Sequence, residues 1–191
     1  MPTPNPARGK MDQMDDSGIA ALIAAGRLRD AIGAAAVEHG AAVERVCVAL
    51  VGRPDRAAEL AQDTFVAAVD ALRHWRGDGS LRAFLCGIAR NLCAKDRTRS
   101  ARQAARLHLV RDPVADVDAH AAVEAGQRAR AARDALSRLE PGDREILVLR
   151  YQGELGYAEI AALLSIDEPT ARKRASRALV RLRSALPVEA P

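Results

Sequence analysis

Six basic residues and no acid stand between Arg172 and Arg183, within the stretch YAEIAALLSIDEPTARKRASRALVRLR. Placed on a helix, Lys173, Arg174, Arg177 and Arg181 share one face, with Arg172 at its edge. Ala171, Ala175, Ala178 and Leu182 share the opposite face, where three alanines permit close packing on Ile160 and Leu164. Cations near the start of such a helix reach base edges in the major groove, and those further along reach phosphates. The flanking residues fit that arrangement. Tyr157 to Leu164 reads as a short helix, Ser165-Ile166-Asp167 as a tight turn, and Pro169 to Leu186 as a long helix. Asp167 is a good N-cap, and proline is tolerated in a first turn whose N–H groups lack intrahelical partners. A run of charge is most often just a solvated helix face. Here the turn and the acid-free face together favour a DNA-reading helix-turn-helix.

A second constellation is HWRGDGSLRAFLCGIARN, residues 74–91. The loop Arg76-Gly77-Asp78-Gly79 precedes Ser80, which can cap the helix that follows. Glycines let backbone approach a base closely. The single tryptophan, Trp75, has two readings: an aromatic platform for a base, or an inward anchor that holds the root of the loop. The residues alone leave both readings open.

Chemistry of other kinds finds little support. Cys47, Cys86 and Cys93 have no C-x-x-C spacing, which argues against a disulfide framework or a zinc knuckle. Cys86 and Cys93, seven apart, share a helix face that Cys47 could approach, but buried thiols are commonplace. His39, His74, His108 and His120 are scattered, so no metal site is predicted. There is no P-loop, no G-x-S-x-G and no convincing acid/base pair, so neither catalysis nor a cofactor is expected.

The elements that must position these residues are helices. Apolar residues make up 49% of the 191 but aromatics only 3%, and no segment alternates with period two for long. The chain reads as all-α. Residues 1–18 carry three of the nine prolines and read as a flexible tail. Residues 19–102 form a first domain. A helical pattern runs from Ile19 to Val51, with Gly26 and Gly40 as possible breaks, and Arg53-Pro54 ends it. A second helix runs from Asp55 to His74 with Leu60, Thr64/Phe65, Ala68 and Leu72 along its inner face. A third, from Leu81 to about Arg102, turns Phe84, Ile88 and Leu92 inward and leaves Arg90, Lys95, Arg97 and Arg99 for solvent or phosphate. Residues 103–126, with Asp112-Pro113 and scattered acids, read as a flexible linker. Residues 127–187 form a second domain, with a helix through Leu139, a Glu140-Pro141-Gly142 turn, and a helix carrying Ile146, Leu147 and Leu149. Net charge is only +4, but seven Arg/Lys against one acid between Arg82 and Arg106 make a second basic block. Two such blocks, parted by an acidic stretch, imply two separate anionic contacts. MPTPNPARGK lacks an apolar signal region, and no run of about 18 apolar residues exists, so a soluble cytoplasmic protein is expected.

In two separated blocks the chain resembles an extracytoplasmic-function (ECF) sigma factor of the sigma-70 family. LVGRPDRAAELAQDTFVAAVDALRHWRGDGSLRAFLCGIARNLCAKDR is similar to the family's core-binding and −10-recognition domain. ALSRLEPGDREILVLRYQGELGYAEIAALLSIDEPTARKRASRALVRLRSAL is similar to its −35-recognition domain. The resemblance implies that Leu60, Gln62, Asp63, Thr64 and Phe65 lie in the helix that docks on the clamp helices of core RNA polymerase. It places Trp75, Arg76, Gly77, Asp78, Gly79, Ser80, Arg90 and Asn91 at the −10 strand, and Thr170, Arg172, Lys173, Arg174 and Arg177 at the −35 duplex. It further implies promoter choice and strand opening for a polymerase that does the chemistry, with an anti-sigma factor as a partner that holds activity in check.

The sequence departs from the family pattern at several points. Ala58-Glu59 stands where many relatives have Glu-Asp, Leu81 where an aromatic is common, Gly87 where arginine is frequent, and Ser165 and Pro169 where glycines flank the turn. These changes leave the fold standing and put the promoter sequence in doubt. Two rival readings are a stand-alone helix-turn-helix regulator, which binds its duplex site without polymerase, and a polymerase-binding protein that never touches DNA.

Overall fold

The computed structural model describes residues 15–75, 77, 79–107, 132 and 134–186, and among these every regular element is a helix. The expected linker from residue 108 onward and the expected start of the second domain at Gln127 lie outside the described residues, as do residues 1–14 of the expected tail.

Helix α1 (Asp16–Ala24) begins within the segment expected to be tail, because Asp15 caps it: the Asp15 carboxylate accepts from the Gly18 N–H at 3.0 Å and the Ser17 hydroxyl at 2.8 Å. Gly26, at φ 72°, makes the break that the sequence predicts. Helix α2 (Leu28–Val51) runs straight through Gly40, which is therefore no break, and ends on left-handed Gly52. Buried His39 of α2 meets Asp16 of α1 at 2.7 Å and ties the two helices together. Helix α3 (Pro54–Ala71) starts on its proline, whose missing N–H would have had no partner there. It continues into a 3₁₀ turn, Leu72–His74. Helix α4 (Leu81–Leu107) is started by the Ser80 hydroxyl, which accepts from the Ala83 N–H at 3.1 Å, and it overruns the expected end near Arg102.

The buried stripe of α4 is not the expected one. Leu85, Cys86, Ala89 and Cys93 are wholly buried, while Phe84, Ile88 and Leu92 flank them half-buried. Helix α4 is covered by α2 and α3 and also by a helix of the C-terminal half, so its deepest line lies between these neighbours. The cysteines sit on that line. Burial pushes the Cys86 thiol up to about 12, and a hydrogen bond with Cys93, then burial, push the Cys47 thiol up. The same hydrogen bond with Cys47 draws the Cys93 thiol below its ordinary value, and all three cysteines are free and buried.

In the C-terminal half, α5 (Pro141–Tyr151) starts on Pro141, so the residues expected as a turn are its first turn. Arg144 reaches back to the carbonyls of Leu136 (2.9 Å) and Ser137 and closes the helical residues 134–138 against it. Ile146, Leu147, Val148 and Leu149 are consecutive and all buried, which requires neighbours on every side of α5. Helix α7 (Glu168–Ala185) and α6 (Tyr157–Leu164) supply one side, and α2 supplies another. Between α6 and α7, Ser165 takes the left-handed conformation at φ 53°, and Asp167 caps α7 by accepting from the Thr170 N–H at 2.7 Å. Ala171, Ala175 and Ala178 form the buried face of α7, as expected.

Candidate nucleic-acid interface

The N-terminal end of α7 stands out from the C-terminal half. Arg172, Lys173 and Arg177 are exposed there and line an open groove with Glu168, Pro169 and Ser176. Arg172 donates to Glu168 at 2.6 Å, and its guanidinium stacks 4.8 Å from the Tyr157 ring centre, which orients it along the helix. Thr170 is held by its own bonds to Asp167, through the N–H and, at 3.0 Å, through the hydroxyl. Those two bonds hold the Asp167 carboxyl below its ordinary range. The predicted cations do not all share this surface. Arg174 is half-buried against Gly142 at the start of α5, where any Cβ would stand 2.6 Å from its guanidinium nitrogen. Arg181 donates to buried Asp143 of α5, so it braces α7 rather than extending the basic face.

In the N-terminal half, Gly77 (φ 79°) and Gly79 (φ 85°) take conformations that favour glycine, as a tight loop before Ser80 requires. Arg76 and Asp78 of the same loop lie outside the described residues. Trp75 packs on Phe84, with ring centres 5.9 Å apart, and its indole Nε1 is buried. It is the root of the loop. Asn91 is exposed beside Arg90, whose guanidinium donates to its Oδ1 at 3.2 Å. Further along α4, Lys95, Arg99 and Arg102 line a groove with Ala94, Thr98 and Gln103.

On α3, the five residues expected at the polymerase divide. Leu60 and Thr64 are buried in the protein's own core, Thr64 donating to the Leu60 carbonyl at 2.7 Å, so neither offers contact surface. Gln62 and Asp63 are exposed and Phe65 is half-buried. Glu59 and Val66 complete this outer face. Val66 is 70% exposed, a large apolar side chain in water that the helical spacing 59, 62, 63, 66 could have flagged.

Sequence reasoning missed the contacts between the halves. Arg90 of α4 donates to Glu145 of α5 at 2.6 and 3.3 Å, Arg82 to Glu154 at 2.6 Å, Arg45 to the same Glu154 at 2.8 Å, and Ser80 to Glu159. Arg90 and Ser80, both predicted at the −10 strand, thus meet carboxylates of the C-terminal half.

The family model described as "Sigma-70 region 2" matches residues 36–103, and that described as "Sigma-70, region 4" matches residues 129–182. The chain belongs to the sigma-70 family. It has the two-helical-domain arrangement of the ECF group, the region 2 match running from within α2 through α3 into α4 and the region 4 match covering α5, α6 and most of α7. It directs core RNA polymerase to specific promoters and helps to open the −10 element. Similar solved structures include the sigma factor RpoE from Bartonella quintana in complex with the anti-sigma factor NepR. That likeness has 24% identity and a TM-score of 0.68, over 81% of this chain and 96% of that one. CnrH, solved with the cytosolic domain of CnrY, is 27% identical with a TM-score of 0.66, over 88% of this chain and 95% of its own. Among curated proteins, none matches the chain. No helix of the described residues is long and apolar enough to cross a membrane.

Proposed function

We propose that this sigma factor reads the −35 duplex with Arg172, Lys173 and Arg177, positioned by Thr170 and flanked by Arg174. The observation that carries the reading is the exposed cationic end of α7, which follows α6 across a short turn through left-handed Ser165 and is capped by Asp167, the layout of a helix-turn-helix. The melted −10 strand is held by the loop Arg76–Ser80 together with Arg90 and Asn91, and Trp75 supports that loop from behind. Polymerase docks on the outer face of α3, through Gln62, Asp63 and Phe65 with Glu59 and Val66 beside them. Leu60 and Thr64 act there only by shaping the helix. The protein works in the cytoplasm, has no catalytic activity of its own and needs no cofactor. An anti-sigma factor holds it in check, by analogy with the RpoE–NepR complex.

Run-off transcription with purified core polymerase on a genomic-fragment library tests the reading. Discrete new start sites sharing upstream elements are expected only when the protein is present. Specific duplex binding by the protein alone, with no new starts, would sink it in favour of a stand-alone regulator.

A further inference from the structure

Three cations stand at the exposed start of α7, but they are not held alike. The Arg172 side chain is 63% exposed and yet is fixed from two sides. Its Nη2 donates to Glu168 at 2.6 Å, and its guanidinium carbon lies 4.8 Å from the centre of the Tyr157 ring. Among the described residues no carboxylate and no ring holds Lys173 or Arg177, which line the same groove. An exposed ion pair one helical turn apart holds an arginine only loosely. A ring face adds a second constraint, because it sets the plane of the guanidinium fork.

The ring is itself held in place. Tyr157 is the first residue of α6, whose start is fixed by the Glu159 carboxylate accepting from the Gly156 N–H at 2.8 Å. It packs partly buried against the core. Arg150, in the last turn of α5, lies 4.9 Å from the centre of the same ring and donates to the Leu155 carbonyl at 2.8 Å. A chain of contacts thus runs from the backbone between α5 and α6, through Arg150 and the Tyr157 ring, to Arg172.

We propose that Tyr157 is a positioning residue for −35 recognition, its ring pre-setting the plane of Arg172 so that Arg172 reads a guanine edge in the major groove. The role rests on the assignment of α7 to the −35 duplex. A guanidinium whose plane is fixed presents two parallel donors, which is what the O6 and N7 acceptors of guanine require. A cation left to rotate must be ordered on binding and suits a phosphate equally well. The ring, not the phenol hydroxyl, does the positioning.

The test uses the full chain with core polymerase on a promoter recovered by run-off transcription, and on duplexes carrying each single base-pair change in its −35 element. Arg172→Ala identifies the pair that Arg172 reads, as the one where discrimination collapses. Tyr157→Leu is expected to lower discrimination at that same pair by at least about fivefold and to spare the other pairs and the salt slope. Tyr157→Phe, which keeps the ring, should retain it, and Tyr157→Leu added to Arg172→Ala should lose nothing further. No loss, or an equal loss at every pair, overturns the proposal; so does a further loss in the double variant, which would mean that Tyr157 touches DNA itself. Should Tyr157→Leu not fold, NMR of the unaltered protein decides. The Arg172 Nε–H, assigned by its disappearance in Arg172→Lys, is expected upfield of ordinary arginine through the ring current of Tyr157, and an ordinary position refutes the stack. Failure of the underlying assignment shows separately. In that case Arg172→Ala, Lys173→Ala and Arg177→Ala all leave −35 discrimination intact, whereas sparing by Arg172→Ala alone overturns only the role of Tyr157.

Discussion

Two basic helices, α4 and α7, began as equivalent blocks of charge and ended in opposite situations. On α4, Arg82 and Arg90 are met by carboxylates from the other half of the chain, and Arg56 of α3 meets Asp96 of α4 at 2.7 Å. On α7, Arg172, Lys173 and Arg177 face solvent. The difference lies in what packs beside each helix. The first half of α4 is central, covered by α2, α3 and α6, so Arg82 and Arg90 find protein partners at the edges of the core, while Lys95, Arg99 and Arg102 further along stay exposed. Helix α7 lies at the rim, packed on α5 and α6 through its alanine face, with Arg174 and Arg181 turned back onto α5. A count of charges cannot separate a committed cation from an available one; burial on the opposite side of the helix can.

The sharpest way to break this comparison is through the shared core. Leu85 of α4 and Ile160 of α6 are both fully buried in one continuous cluster. Truncation to alanine at either site is expected to cost about 2–5 kcal/mol. The single tryptophan, Trp75, reports region 2 alone. Ile160→Ala in region 4 should therefore shift the Trp75 fluorescence midpoint in urea if the halves unfold together. A shift in circular dichroism with the Trp75 transition left in place would show that they unfold separately.

Next in size are the exposed cations. Arg172→Ala, Lys173→Ala and Arg177→Ala should each weaken promoter duplex binding by about 1–3 kcal/mol where the side chain reaches a base, and flatten the salt dependence by about one unit of slope where it reaches phosphate. Arg181→Ala should lower stability instead, since it leaves Asp143 buried without its partner, and should leave the salt slope alone. An equal loss of affinity on Arg181→Ala would mean that α7 binds DNA through its whole length.

Glycines sharpen the comparison on a smaller scale. Gly153→Ala should destabilise by about 1–3 kcal/mol, because its Cβ would meet backbone oxygen that cannot swing away. Gly40→Ala, with nothing within 4 Å inside α2, should stabilise by about 0.5–1 kcal/mol through helix propensity. Thermal unfolding of the two variants decides, and opposite signs are required.

What was legible in the sequence follows the same division. The Ser165-Ile166-Asp167 turn, the Asp167 cap, the alanine face of α7 and the Gly26 break are local features, and each could be read from neighbours within a few residues. The stripe on α4 was misread by one position, because Phe84, Ile88 and Leu92 are the larger side chains while the deepest sites belong to Leu85, Cys86, Ala89 and Cys93. Size suggested burial, but the space between three helices admits small residues. Leu60 and Thr64 match the docking motif by position yet face the core. The carboxylate partners of Arg90, Ser80, Arg82 and Arg45 lie 55, 79, 72 and 109 residues away in sequence, beyond any local pattern. Gly87, an oddity as a departure from the family, is explained once Leu163 is found against it.

The smallest expected effect again sets one region against the other. Asp15 starts α1 and Asp167 starts α7, and both are exposed N-caps whose carboxyls lie below the ordinary value of 3.8, chiefly because a backbone N–H donates to them. A depressed carboxyl contributes stability that is present above the ordinary value and is lost as pH falls through the folded-state value. Asp167→Asn keeps an acceptor at the cap but cannot titrate. The acid limb of duplex binding should therefore flatten in Asp167→Asn, and remain as in the parent in Asp15→Asn, whose cap orders α1 and not the recognition helix. Duplex affinity measured down through the acid range checks this. Equal flattening in both variants would mean that acid acts on the whole fold and not on the seating of α7.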